Sequence, residues 1–383
     1  MKRSPVLLGF VSAALAASVL GVSSAAAGEP GDVVIATQAL HKTLALGDVA
    51  AGNSIGIVYQ KSNHSYLRWS MDEGATFSPE WPLRGGSPTK SPRLASCGNW
   101  MWATSLWRTT SGVSRALVDY LDVTSPEATA GRFRIPDAFR ADIACRDGVV
   151  AVAYSVSNGT SDGTMFTVMD GQCSDPCTPA FTTMLSTNAD EGPQVAAVDD
   201  GFVVTWLPGQ GLAVQHFAVA GSGAGISVTP DAPTTILPGI NLWSPVIAGD
   251  GSRVVVVYVR RNDTHMRISE DYGHTFGPRI IVKSIANDSC CAGSSPDSVD
   301  ARNGRILVEV TMGGGDPPAI GMTGRFTKND GATWKTTTRH GGGTQIGVLR
   351  AGFAAEAWDA HHYSSSVYGN VPQRIDFRTT SLP

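Results

Sequence analysis

The chain has little charge and no strong excess of either sign. Of its 383 residues 16% are charged, with 29 Lys and Arg against 33 Asp and Glu, for a formal net charge of -4. Without a basic footprint, nucleic acid is not an expected partner. Long apolar runs are also scarce: beyond the N-terminal segment nothing approaches the roughly 18 uninterrupted apolar residues that a membrane-spanning helix needs. Helical patterning is missing too, since no later stretch keeps a 3.6-residue apolar period over about ten residues. Short alternating runs rich in Val and Thr, set among 43 glycines, point instead to a nearly all-β chain.

The first residues read as an export leader. Lys2 and Arg3 form a positive start, Val6 to Leu20 an apolar run, and Ser24 to Ala27 a small-residue cleavage region. Residues 1–27 are therefore expected to be a signal peptide and 28–383 the folded domain of a secreted protein. Losing Lys2 and Arg3 leaves 27 bases against 33 acids, a formal charge of -6. Six cysteines in an exported chain permit three disulfides with 15 pairings. Cys173 and Cys177 are close enough to bridge a loop, Cys97 and Cys145 hold matching places in neighbouring repeats, and the adjacent Cys290 and Cys291 can pair only with each other as a vicinal bridge or remain free. Sequons at Asn63, Asn158, Asn262 and Asn287 matter only in a host that reads them.

One decapeptide pattern recurs, at Arg68 to Phe77, Arg267 to Phe276 and Arg325 to Trp334, with an eroded trace at Thr167 to Gly171. The copies are in phase with a period near 50 residues, the length of a four-stranded propeller blade. A second series keeps the same period: alternating strands end at Tyr59, Trp107, Tyr154, Trp206, Tyr258, Val310 and Trp358, each preceded by a short strand opening at Val49, Leu94, Ile143, Val195, Val246, Val299 or Val348. The count is a β-propeller of seven blades, with six the alternative if one repeat is an insertion. The last blade shows three strands, and Val33 to Thr37 is available as the fourth, closing the ring and removing a bare sheet edge.

The repeated segments resemble the Asp-box, Ser-x-Asp-x-Gly-x-Thr-Phe/Trp, of sialidases and related propellers. As a turn between third and fourth strands, the box uses Asp72 and Asp271 to accept backbone N–H bonds. Gly74, Gly273 and Gly331 permit positive φ, and Phe77, Phe276 and Trp334 tuck between blades. Asn329 replaces the aspartate in the third copy, so that turn should be held less strongly. The resemblance implies that the boxes mark the face opposite an active site, and it implies a sialidase-like glycoside hydrolase or a glycan-binding relative.

On the opposite face, the loops joining strands two and three and the connections between blades supply the candidates. Asp359, Glu191, Asp263 and Tyr363 are the candidate catalytic residues; Arg93, Arg134, Arg140, Arg260, Trp243 and His361 are the candidate ligand-binding residues. Sialidase-type chemistry asks for three arginines on a substrate carboxylate, a Tyr activated by a Glu, and an Asp for proton transfer. Phe133-Arg-Ile-Pro136 is similar to a sialidase motif, which implies that Arg134 binds a carboxylate. Glu309 and Glu356 interrupt apolar second strands, as raised-pKa acids or as structural hydrogen-bonding partners of a neighbouring blade. No residue set is assigned to a metal and no cofactor is called for. Two functions follow: an exo-glycosidase for acidic sugars, or a non-catalytic propeller that recognises a carbohydrate, a cell-surface glycan or a protein, in either case as a monomer.

Overall fold

The computed structural model describes residues 33–37, 39–49, 52–61, 64–83, 89–108, 114–157, 162–188, 192–209, 211–238, 242–284, 293–313, 321–341, 345–350, 353–360 and 374–381. Seven antiparallel sheets follow one another as seven blades. Six of them are continuous in sequence. Blade 1 starts with Ala39–Val49, blade 2 with Thr89–Cys97, blade 3 with Ala138–Arg146, blade 4 with Gln194–Val198, blade 5 with Leu242–Asp250 and blade 6 with Gly293–Arg302. These starting strands form the inner ring, and that of blade 7, Gln345–Arg350, packs in turn against that of blade 1. Blade 4 carries a fifth strand, since Ser227–Pro230 and Thr234–Leu237 both pair with Leu212–Ala220. The expected openings at Leu94, Ile143, Val246, Val299 and Val348 are corrected to Thr89, Ala138, Leu242, Gly293 and Gln345, and the largest correction is to the first inner strand, expected to open at Val49. Val49 is its last residue, because the turn to strand two falls immediately after it, at the Val49–Gly52 pair.

Blade 7 is completed as the alternation suggested. Val33–Thr37 pairs antiparallel with Arg374–Ser381, Val33 opposite Phe377 and Thr37 opposite Arg374. Ile35 is buried there among Ile55, Ile57 and Tyr59 of blade 1 and Ile375 and Phe377 of blade 7. Because each sheet presents a packed side to the blade before it and another to the blade after, the apolar core divides into seven clusters, one per seam. Among the described residues the one α-helix is Pro126–Thr129, and no helix is long and apolar enough to cross a membrane.

Two of the boxes are nearly identical in geometry. Ser70 Oγ donates to Asp72 Oδ1 (2.7 Å) and accepts from Gly74 N (2.7 Å), while Asp72 accepts from Thr76 N (2.8 Å) and Thr76 Oγ1 (2.6 Å). In blade 5, Ser269, Asp271, Gly273 and Thr275 repeat these bonds at 2.7, 2.8, 2.8 and 2.6 Å. In the Asn329 copy the first three bonds lengthen to 2.9, 3.0 and 3.0 Å, and in place of the carboxylate's second oxygen Asn329 Nδ2 donates to Thr333 Oγ1 at 2.9 Å. The bonds from Thr76, then Ser70, hold the Asp72 carboxyl down to about 2. Gly74 is at φ +89°, and a Cβ there would stand 2.3 Å from the Phe377 ring, so both conformation and space demand glycine. The Phe77 and Phe377 rings meet edge to face at 5.0 Å across the closing seam. In blade 3 the box is eroded as expected, and the Cys173–Cys177 disulfide closes its loop. The Cys97–Cys145 bridge ties the inner strands of blades 2 and 3, while Cys290 and Cys291 lie outside the described residues.

The acids in the second strands meet across the seam between blades 6 and 7. Glu309 and Glu356 are fully buried, and Gly347 leaves the space into which the Glu309 carboxyl projects. Burial, the Glu356 charge and hydrogen bond, and the Asp297 charge raise the Glu309 pKa well above the carboxylate range. Both readings of these acids therefore hold together: the pair is structural, and Glu309 is a raised-pKa acid. Asp300 on the inner strand of blade 6 is likewise pushed up to about 6 by burial, although it accepts the Leu349 N–H.

Two outcomes follow for stability. Ile35→Ala should cost about 2–5 kcal/mol, read as a lower urea midpoint with an unchanged slope; an unchanged midpoint would remove the closing strand from the account. For Glu309 and Asp300, below pH ~4 both folded and unfolded chains are protonated and no penalty exists. Above it the folded state retains protons that the unfolded state releases, so stability falls as pH rises toward the folded pKa values. Glu309→Gln should raise the melting temperature at pH 8 and flatten its decline between pH 4 and 8; equal shifts at both pH values would contradict the assignment.

Candidate functional site

Of the ten residues proposed for the upper face, five have described side chains, and they stand in more than one setting. Arg93 and Arg140 sit on neighbouring inner strands of blades 2 and 3. Arg93 Nε lies 3.8 Å from Asp142 Oδ1, and Asp142 accepts the Val195 N–H of blade 4. Burial raises the Asp142 pKa, with Arg93 and the Val195 bond pulling the other way. The Arg140 guanidinium stands 5.9 Å over the Phe139 ring. Arg134 occupies the outermost strand of blade 2, with Nε 3.1 Å from Asp175 of blade 3, so its carboxylate partner here is internal. Asp359 and Trp243 fall in described strands, their side chains outside the description; Glu191, His361 and Tyr363 lie outside the described residues altogether. Asp263 begins the third strand of blade 5, accepts a hydrogen bond from Ser284 Oγ at 3.0 Å, and pairs across the sheet with Arg260.

Arg260 belongs to a different grouping, on the side of blade 5 that faces blade 4. Strands Arg253–Arg260 and Asp263–Ser269 place Tyr258 directly opposite His265 and Arg267 opposite Val256. Alternation therefore turns Tyr258, Arg260, Asp263, His265 and Arg267 to one face. Arg279 reaches the same place from the segment just before the fourth strand, Ile280–Lys283. The Tyr258 and His265 rings lie 5.8 Å apart. Burial raises the Tyr258 pKa, against the pull of the Arg267, Arg279 and Arg260 guanidiniums. Burial lowers the pKa of His265, and the Arg279 charge adds to it, so the imidazole is neutral near pH 7. Among the described residues no hydrogen-bond partner meets the Tyr258 hydroxyl, His265 Nδ1 or Arg267 Nε: Arg267 faces the hydroxyl without bonding geometry. Orphaned polar atoms of this kind carry a cost that a bound partner would relieve.

Blade 1 shows what such a partner looks like. Tyr59, Lys61, Tyr66, Arg68 and Glu80 stand at the same spacing around the first box as Tyr258, Arg260, His265, Arg267 and Arg279 around the box of blade 5. In blade 1 the Glu80 carboxylate accepts from the Tyr59 hydroxyl at 2.9 Å and from Lys61 Nζ at 2.9 and 3.0 Å. Burial would raise the Glu80 pKa, but these bonds and the Lys61 and Arg68 charges lower it on balance. Blade 5 keeps the donors and replaces the carboxylate with an arginine. The result is three guanidiniums and a phenol with Asp263 as the acid on this face, where blade 1 has His64, and with Arg279 exposed to solvent. The blade 1 pair is also a Tyr–Glu couple, but Tyr59 is buried and its pKa is raised, first by burial and then by Glu80, the reverse of an activated nucleophile. The signal that would have exposed the blade 5 cluster in the sequence is the alignment of the two boxes extended to their flanks.

No family profile matches the chain, and no curated protein does. Among solved structures it is similar to the phage phi92 endosialidase (10% identity, TM-score 0.47, covering 88% of this chain and 66% of that one). It is also similar to the β-propeller domain of the trilobed protease of Pyrococcus furiosus (8%, 0.47, 83% and 92%) and to YCF48 bound to a D1 peptide (10%, 0.46, 94% and 97%). The chain thus spans 66% of the endosialidase.

The two clusters should respond differently to loss of the phenol. Tyr59→Phe removes a hydrogen bond to a charged group and should cost about 1.5–3 kcal/mol, whereas Tyr258→Phe removes an unmade bond and should be neutral or slightly stabilising by chemical denaturation. Equal losses would show that the Tyr258 hydroxyl is already satisfied.

Proposed function

We propose that the protein is an extracellular recognition propeller for acidic glycans, seating a carboxylate or sulfate of the ligand among Arg260, Arg267, Arg279 and the Tyr258 hydroxyl. The observation that carries this reading is the exchange of Glu80 in blade 1 for Arg279 in blade 5, which leaves three guanidiniums against the single carboxylate of Asp263 where the counterpart is neutralised by Glu80. Guanidiniums suit the purpose, since their paired N–H groups match the two oxygens of a carboxylate or sulfate edge. The export leader and the Asp-box resemblance support a glycan ligand and an extracellular setting. Binding rather than hydrolysis is favoured because the phenol in this cluster is buried with its pKa raised, first by burial, and so is poorly suited to act as a nucleophile.

The test is calorimetry and glycan-array binding with uronate-bearing, sialylated, sulfated and neutral oligosaccharides, using wild type and Arg279→Glu. Acidic ligands should bind and neutral ones should not, with affinity falling as salt rises. Arg279→Glu rebuilds the blade 1 arrangement internally, so it should abolish binding while raising the melting temperature. Undiminished binding by that variant would sink the site, and turnover of a fluorogenic sialoside would replace recognition with catalysis.

A further inference from the structure

The face that carries the boxes holds a second cluster, of different chemistry, at the seam between blades 4 and 5. His216 lies in the third strand of blade 4, Leu212–Ala220, where it is the one ionisable residue, and it is buried, 4% exposed. Its Nδ1 faces Asp231 Oδ2 at 2.6 Å and its Nε2 faces Asp200 Oδ1 at 3.0 Å. Blade 5 contributes His274, whose Nε2 is 3.5 Å from the same Asp231 oxygen. Ligand atoms of His216, Asp231 and His274 all lie within 4.8 Å of one another. The two imidazole rings are 5.9 Å apart and nearly perpendicular, at 78°, and the Tyr272 ring covers His216 at 5.2 Å.

The position of His274 is not a requirement of the box. The same place is Ala75 in blade 1 and Ala332 in blade 6, so an imidazole there serves something other than the turn. The turn does, however, fix it. Asp271 accepts from both the backbone and hydroxyl of Thr275, and the carbonyl of Asp271 accepts the His274 N–H at 3.1 Å. Thr234 Oγ1 of blade 4 reaches the His274 carbonyl at 3.4 Å, which ties the loop to the neighbouring blade.

We infer that His216, Asp231 and His274 form a binding site for a divalent transition-metal ion of the zinc class, linking blade 4 to blade 5. Two imidazoles and a carboxylate are borderline-soft donors of the kind zinc prefers over calcium or magnesium. Metal–ligand bonds of about 2.0–2.2 Å separate neighbouring donors by roughly 3.3 Å in a tetrahedron. The Asp231–His274 distance already fits, and the His216–Asp231 contact opens slightly as the Nδ1 proton leaves. His216 then keeps its other N–H on Asp200, the arrangement by which a carboxylate fixes the tautomer and raises the basicity of a metal-bound imidazole. Asp200 is a positioning residue, and a fourth coordination position stays available to water or a donor from a ligand. This site is independent of the arginine cleft, which lies against the same seam but uses none of these residues.

The experiment uses the full, untagged mature chain stripped with EDTA and dialysed, then titrated with ZnCl2 by calorimetry and with CoCl2 by visible absorption. One ion should bind per chain, with the intense absorption of low-coordinate cobalt and a higher melting temperature. His274→Ala should bind more than about 10-fold more weakly, and Asp200→Asn about 10–100-fold more weakly. Both should melt like the wild type in EDTA, His274→Ala because alanine is what the other boxes carry. Absence of saturable binding by the wild type would overturn the proposal and leave His216 as a structural imidazole hydrogen-bonded between two aspartates; binding undiminished in both variants would overturn it by placing the ion elsewhere.

Discussion

The whole arrangement depends on closing a ring of sheets, each of which must be covered on both faces. Six blades are contiguous, but the seventh lacks an outer strand until Val33–Thr37 returns from the other end of the chain to pair with Arg374–Ser381. That single pairing brings Ile35 into the seam between the last blade and the first and so sets the shared core there. The inner strands pose the opposite problem, since one edge of each faces the central channel with backbone groups unpaired by the sheet. Side chains from the preceding blade answer part of it: Asp142 accepts the Val195 N–H, Ser298 that of Gly347, and Asp300 that of Leu349. Burying acids for this purpose raises the pKa of Asp142 and Asp300, a cost in the same currency as the Glu309–Glu356 pair.

A repeated frame lets single exchanges alter chemistry without altering the fold. The box of blade 6 keeps its turn with Asn329 in place of aspartate, at slightly longer distances. That of blade 3 gives way to a loop closed by Cys173–Cys177. The box of blade 5 accepts His274 where alanine serves elsewhere, and its flank carries Arg279 where blade 1 carries Glu80. Both proposed sites are thus departures from the repeat on blade 5, facing blade 4. The boxes themselves remain turns, their aspartates saturated by the Ser and Thr of the same loop.

Much of the frame was legible because the propeller writes itself into local patterns. Box spacing, second-strand alternation and the matching positions of Cys97 and Cys145 are each read within one blade or between adjacent blades. The three-stranded last blade pointed to its missing strand by simple lack. The sites were harder. Repeat phase tells at which end of a strand Arg93, Arg134 or Arg260 lies, but not which neighbours surround it: Arg134 turned to Asp175 on the outer rim, and Arg260 joined residues of its own blade. His216 stands in the sequence as a lone ionisable residue of an apolar strand, because its partners Asp231, Asp200 and His274 come from turns and from another blade.

The central claim is that blade 5 holds an external anion where blade 1 holds its own carboxylate. Crystals of the mature protein grown with selenate, measured at the selenium edge, test it directly. The account predicts an anomalous peak within hydrogen-bonding distance of the Arg267 and Arg279 guanidiniums and the Tyr258 hydroxyl, displaced by a uronate-bearing disaccharide. A cleft without a peak there, with the three arginines turned apart into solvent, would contradict it.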